Sequence, residues 1–125
     1  MMAAAMDYTT ADFVLREYEG VTVIRFTNKN LTAAADLDRI SKEVVNLIDN
    51  RAVRKLILDF KHVEYISSAA LGTLITINRK LADKKGLLVL SHPENIIELL
   101  RVSHTEKLFK TAPDPREAVK MYFPA

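Results

Sequence analysis

Polar and apolar positions along this chain keep one period for a while, then change it, and the changes mark out its elements. Residues 13–26, "FVLREYEGVTVIRF", alternate with period two. Phe13, Leu15 and Glu17 share one face and Val14, Arg16 and Tyr18 the other; past Glu19-Gly20, Val21, Val23 and Arg25 alternate with Thr22, Ile24 and Phe26. This pattern predicts two strands joined by a tight turn, with Gly20 where a positive φ costs least. The period then lengthens. Leu37, Ile40, Val44, Leu47 and Ile48 recur at helical spacing, with Asp38, Arg39, Lys42, Glu43 and Asn46 on the other faces. Thr32 is the expected N-cap and Asn50 the expected stop. "KLILDF" is almost wholly apolar and too short for a typical helix, which predicts a strand covered on both faces at the centre of a parallel sheet.

"VEYI" crosses from there to a serine pair, Ser67-Ser68. From Ala69 to about Lys84 the spacing is helical. Ala70, Leu71, Leu74, Ile75, Ile77, Asn78 and Leu81 form the expected inner face, and Thr73, Thr76, Arg79, Lys80 and Asp83 point away. Lys84 and Lys85 suit the negative end of the helix dipole, and Gly86 suits the C′ position. "LLVLS" reads as another buried strand. Pro93 opens a helix at its first turn, with Ile96, Ile97, Leu99, Leu100 and Val102 on its apolar side. "KLFKT" reads as a short edge strand. "PDPREAVKMYF" reads as a last helix with Asp114 at the N-cap and Pro115 at N1. The expected order is ββαβαβαβα. Strands alternating with helices imply an α/β fold, a mixed sheet with a parallel core and right-handed crossovers. Residues 1–11 are expected to be a flexible N-terminal tail and 12–125 a single domain.

Composition narrows the chemistry. Cysteine is absent, which removes disulfides, thiolate nucleophiles and Cys-ligated zinc. The net charge of +2 is spread over scattered lysines and arginines, with no basic stripe to suggest nucleic acid. No apolar window approaches the roughly 18 residues of a membrane span, and "MMAAAM" is too short for a signal-peptide core. A cytoplasmic protein without a membrane or direct nucleic-acid partner is the simplest reading. His62, His92 and His104 are far apart and form no ligand-spaced pair, so no metal site is expected. Three glycines leave no phosphate-cradling loop, and no cofactor is expected. The serine pair lacks the glycine-flanked nucleophile elbow. Asp59 ends a buried strand, where a carboxylate hydrogen-bonds strand ends. A small hydrolase or nucleotide-binding enzyme using Ser68 or Asp59 therefore has little to stand on, and the expected protein is not an enzyme.

What, then, is the serine pair for? One serine can cap the helix, worth about 1 kcal/mol. The second is redundant for that purpose, and no Glu or Gln at N3 completes a capping box. The alternative is a phosphorylation switch. A helix N-terminus offers about half a positive charge and unpaired N–H donors. A phosphate attached there is tolerated by its own chain. It still brings about −1.5 to −2 charges to whatever docks on the surface. Ala69, Ala70 and Gly72 leave the hydroxyl uncrowded.

Residues 56–109, "LILDFKHVEYISSAALGTLITINRKLADKKGLLVLSHPENIIELLRVSHTEKLF", resemble the STAS domain of bacterial anti-sigma factor antagonists. The shared pattern is a buried strand ending in Asp, a hydrophobic crossover, a serine-bearing helix start, then Leu-Gly. The likeness extends over about Phe13 to Phe123. The family motif reads Asp-Ser-Ser-Gly-Leu-Gly, and its first serine takes the phosphate. Leu71 and Gly72 match the closing Leu-Gly, so Ser68 matches the phosphorylated position. Ser67 stands for the Asp, Ala69 for the second Ser and Ala70 for the Gly. The resemblance implies an anti-sigma factor antagonist. Its unphosphorylated form binds an anti-sigma factor with serine kinase activity and frees a sigma factor. Phosphorylation at Ser68 blocks docking, and a PP2C-type phosphatase reverses it. The implied partner-binding residues are Tyr65, Ser67, Ser68, Ala69, Gly72, Thr73 and Thr76. "TNKNLTAAADL" lacks the family's Gly-Glu-Leu-Asp run, and Asp36 lies too far into the helix to replace its Asp. These departures support a second reading, a STAS interaction module (scaffold or transport accessory) that is never phosphorylated and has a different partner.

Overall fold

The computed structural model describes residues 7–123. Its main sheet has six strands in the order β1-β2-β3-β5-β7-β8. Strand β1 is Tyr8–Thr9, β2 Phe13–Tyr18, β3 Val21–Phe26, β5 Lys55–Asp59, β7 Leu87–Ser91 and β8 Lys110–Ala112. β1, β2 and β3 pair antiparallel; β3, β5, β7 and β8 pair parallel. The mixed sheet with a parallel centre is the expected architecture. A separate parallel pair joins β4, Asn30–Leu31, to β6, Tyr65–Ile66. The helices are α1 Ala34–Asn50, α2 Ser68–Asp83, α3 Ile97–Val102 and α4 Pro115–Lys120.

Each face of the sheet follows from side-chain alternation. Phe13, Leu15, Ile24, Phe26, Leu56, Leu58, Leu88 and Leu90 face α1, α2 and α3 in the larger core. Val21, Val23, Ile57 and Val89 face the other way, against Ala112, Ala118 and Tyr122 of the C-terminal region. "KLILD" is apolar at successive positions because β5 is covered on both sides. All five predicted apolar positions of α1 are buried. On α2, Ala70, Leu71, Leu74, Ile77 and Leu81 are buried and Ile75 is half-buried. Asn78 is half-buried, and its side-chain amide donates to the Leu108 carbonyl at 3.0 Å, fastening the 3-10 turn Glu106–Leu108.

Several expectations are corrected. Tyr8–Thr9 lies within the expected tail yet pairs with Val14 and Leu15; residues 1–6 lie outside the described residues. The N-cap of α1 is Ala33, which carries no hydroxyl to cap with, and Thr32 stands one residue outside. Gly20 has φ +82°, as expected, but Glu19 shares the positive region at +52°. The two-residue hairpin requires both, to match the twist of its strands. Regular helix in α3 starts at Ile97, after a turn closed by Pro93, and Val102 is 60% exposed. "KLFKT" divides into the end of the 3-10 turn and the start of β8. α4 ends at Lys120, capped at its start by the Asp114 carboxylate, which accepts from the Glu117 N–H at 2.8 Å.

The end of α2 is the clearest case. Lys85, not Gly86, takes the left-handed conformation, with φ +62°. The Lys85 N–H donates to Ala82 O at 3.0 Å and the Gly86 N–H to Leu81 O at 2.7 Å, the paired bonds of a Schellman motif. Gly86 is needed for another reason. A Cβ there would lie 2.6 Å from the Arg54 carbonyl oxygen.

Candidate functional site: the start of helix α2

The β4–β6 pair sets where α2 begins. Ser67 extends its ladder, donating its N–H to Leu31 O at 3.1 Å. Its backbone is still extended, φ −91° and ψ 170°, and its Oγ accepts from the Ala70 N–H at 3.1 Å. Ser67 is therefore the N-cap. Ile66, Ala70 and Leu71 are buried on either side and pin this turn to the core.

Ser68 is the first helical residue. It is exposed, and its hydroxyl has no hydrogen-bond partner among the described residues. The structural cap and the free hydroxyl are thus separate residues. No acidic residue occupies the first turn of α2, so the positive end of its dipole stands uncompensated beside Ser68.

The expected docking residues share a surface in part. Tyr65 is 60% exposed, and Ser68, Ala69, Gly72 and Thr76 are exposed. Ser68, Gly72 and Thr76 fall at i, i+4 and i+8, a line along one side of the helix. Nothing lies within 4 Å of where a Cβ on Gly72 would be, so packing inside this chain does not require glycine there. Ser67 and Thr73 are half-buried. The Thr73 and Thr76 hydroxyls turn back to the Ala69 and Gly72 carbonyls, at 3.4 and 3.1 Å. Asp36 is ion-paired with Arg39, which also holds the buried Asp12 at 3.0 Å.

A second polar cluster lies at the carboxyl ends of the parallel strands, on the sheet face that carries α4. Arg25, Asp59 and Ser91 are register neighbours on β3, β5 and β7. Asp59 is fully buried. Its Oδ2 accepts from Arg25 Nε at 3.1 Å and its Oδ1 from Ser91 Oγ at 2.9 Å, and His92 Nδ1 lies 2.6 Å from that same Oδ1. A buried carboxylate needs such partners, and the strand-end role expected of Asp59 is what it performs. No spacing or motif marks His92 as belonging here. The only pointer, visible afterwards, is that His92 directly follows a buried strand. Neither residue bonds Ser68, so no nucleophile–base pair forms between them. Among the described residues no group of three or more His, Asp or Glu side chains is placed to hold a metal ion, and no helix is long and apolar enough to cross a membrane.

The family model for the STAS domain matches residues 12–118, and the chain belongs to that family. Solved structures share the fold. A STAS-domain anti-sigma factor antagonist protein from Planctomyces limnophilus is 21% identical, with a TM-score of 0.76, over 90% of this chain and 98% of that one. SpoIIAA of Bacillus in its phosphorylated form is 20% identical, with a TM-score of 0.69, over 88% and 98%. SpoIIAA in its unphosphorylated form is 19% identical, again with a TM-score of 0.69, over 88% and 96%.

Proposed function

We propose that this chain is an anti-sigma factor antagonist whose docking is switched at Ser68. The unphosphorylated form binds an anti-sigma factor with serine kinase activity and releases the sigma factor. Phosphate on Ser68 prevents docking, and a PP2C-type phosphatase restores it. The chain contributes a surface rather than catalysis.

The observation that carries this reading is the division of labour between the serines. Ser67 supplies the cap, so modifying Ser68 costs the helix none of its own hydrogen bonds. The phosphate would meet the unpaired N–H groups and positive dipole of the first turn, while adding a dianion to the exposed line through Gly72 and Thr76. This chain shares its fold with both the phosphorylated and the unphosphorylated form of SpoIIAA, in keeping with a switch that acts without refolding its carrier.

The test is a kinase reaction with the cognate anti-sigma factor and ATP, followed by site mapping and calorimetric binding. Phosphate is expected on Ser68 alone. Ser68→Ala should bind as tightly as the unmodified chain and accept no phosphate. Ser68→Asp should bind about tenfold more weakly or worse, a loss of at least about 1.4 kcal/mol. Equal binding by both variants would sink the switch and leave the unphosphorylated interaction module as the reading.

A further inference from the structure

On the sheet face away from α2, α4 covers the parallel centre but leaves the β2–β3 hairpin open. Between them runs a groove of about 940 Å³. Val14, Val23 and Val119 give it an apolar lining, and Tyr18, half exposed, stands at the hairpin end. Its charged lining is unbalanced: Arg16, Arg25, Arg116 and Lys120 against Glu17 and Glu19. Two of those cations are occupied. Lys120 pairs with Glu117 at 3.1 Å, and Arg16 lies 3.6 Å from Asp7.

Arg25 is different. Its Nε is tied to the fully buried Asp59, while its side chain remains 43% exposed. The pairing uses one of five N–H donors. The two terminal nitrogens make no hydrogen bond among the described residues, and neither does the Arg116 guanidinium, which sits across the groove on α4. A guanidinium anchored through Nε by a buried carboxylate is pre-set to receive an acid group bidentately.

We infer that this groove binds a small amphipathic anion, its carboxylate or phosphate held by Arg25 and Arg116 and its apolar body lying over Val14, Val23 and Val119. The size suits one small molecule. A peptide strand would gain little there, because β3 lies between β2 and β5, β1 covers β2 at Val14 and Leu15, and the groove floor offers side chains rather than free backbone groups. The site is independent of the switch at Ser68.

NMR titration of the full chain with octanoate, mono-octyl phosphate and octanol tests it. Saturable shifts are expected at the Val14, Val23 and Val119 methyls and at Arg25 Nε–H with the two acids. Octanol should bind at least about tenfold more weakly. Arg116→Glu, at an exposed position without an ion pair among the described residues, should weaken octanoate binding by about tenfold or more while leaving the melting temperature in place. Arg25→Lys keeps a cation for Asp59 but removes the free guanidinium nitrogens, and should weaken it likewise. Three results would each overturn the inference: no saturable shifts, equal affinity for octanol, or unchanged affinity in both variants. Shifts of the same residues with protein concentration alone would instead assign the groove to a second copy of the chain.

Discussion

Ser67 and Ser68 share their chemistry and differ by one backbone position. Ser67 keeps extended dihedrals, which aim its Oγ at the Ala70 N–H; Ser68 is already helical and its hydroxyl faces solvent. The two should therefore respond differently to the same substitution. Ser67→Ala should lower unfolding free energy by about 1 kcal/mol, the usual worth of an N-cap. Ser68→Ala should change it by less than about 0.5 kcal/mol. Urea midpoints of the two variants check this directly. The sequence displayed the helix start and a hydroxyl to spare, and the family resemblance pointed to Ser68. Periodicity alone was blind to which serine caps. That choice is made by the bond from Ser67 N–H to Leu31 O, 36 residues back in the chain, and local pattern carries no record of such a contact.

Elements long enough to repeat their period were legible: the hairpin, α1, β5, α2 and β7 stand where alternation and helical spacing put them. Short ones were not. β1, β4 and β6 have two residues each and no period to show, and they exist because neighbours supply the ladder. Terminal residues also misled. Gly86 looked like a helix stop chosen for its dihedral freedom, whereas Lys85 carries the positive φ and Gly86 is there to let the chain pass the Arg54 carbonyl. Gly86→Ala should thus destabilise through collision with backbone, which cannot swing aside as a side chain can. A loss of about 1–3 kcal/mol is expected. Circular-dichroism melts of Gly86→Ala and Gly72→Ala provide the contrast, since open space surrounds Gly72 and its replacement should leave the fold in place.

Across the whole molecule, the second layer of the core is small and closes on one residue. Tyr122 packs against it, and its hydroxyl shares its one proton between the Leu56 and Leu87 carbonyls, at 2.6 and 2.7 Å, tying this C-terminal segment to both central strands. Burial pushes the phenol well above its usual 10.0. The neutral form is the one the fold favours, so its contribution is complete below about pH 10, where the unfolded phenol begins to ionise, and is lost as pH climbs towards the folded value. Urea midpoints measured through alkaline pH should fall above about pH 10, and Tyr122→Phe should remove that part of the decline while costing about 1 kcal/mol at neutral pH.

The row formed by Arg25, Asp59 and Ser91 has a consequence for how the chain assembles. Shifting β5 by one residue against β3 and β7 would turn its carboxylate towards the leucine-rich layer and leave it there without a counter-charge. Apolar runs such as "LILD" and "LLVLS" would otherwise slide past one another at little expense. A single acid group at the strand's end therefore works as an alignment key, penalising every one-residue slip of the central strand.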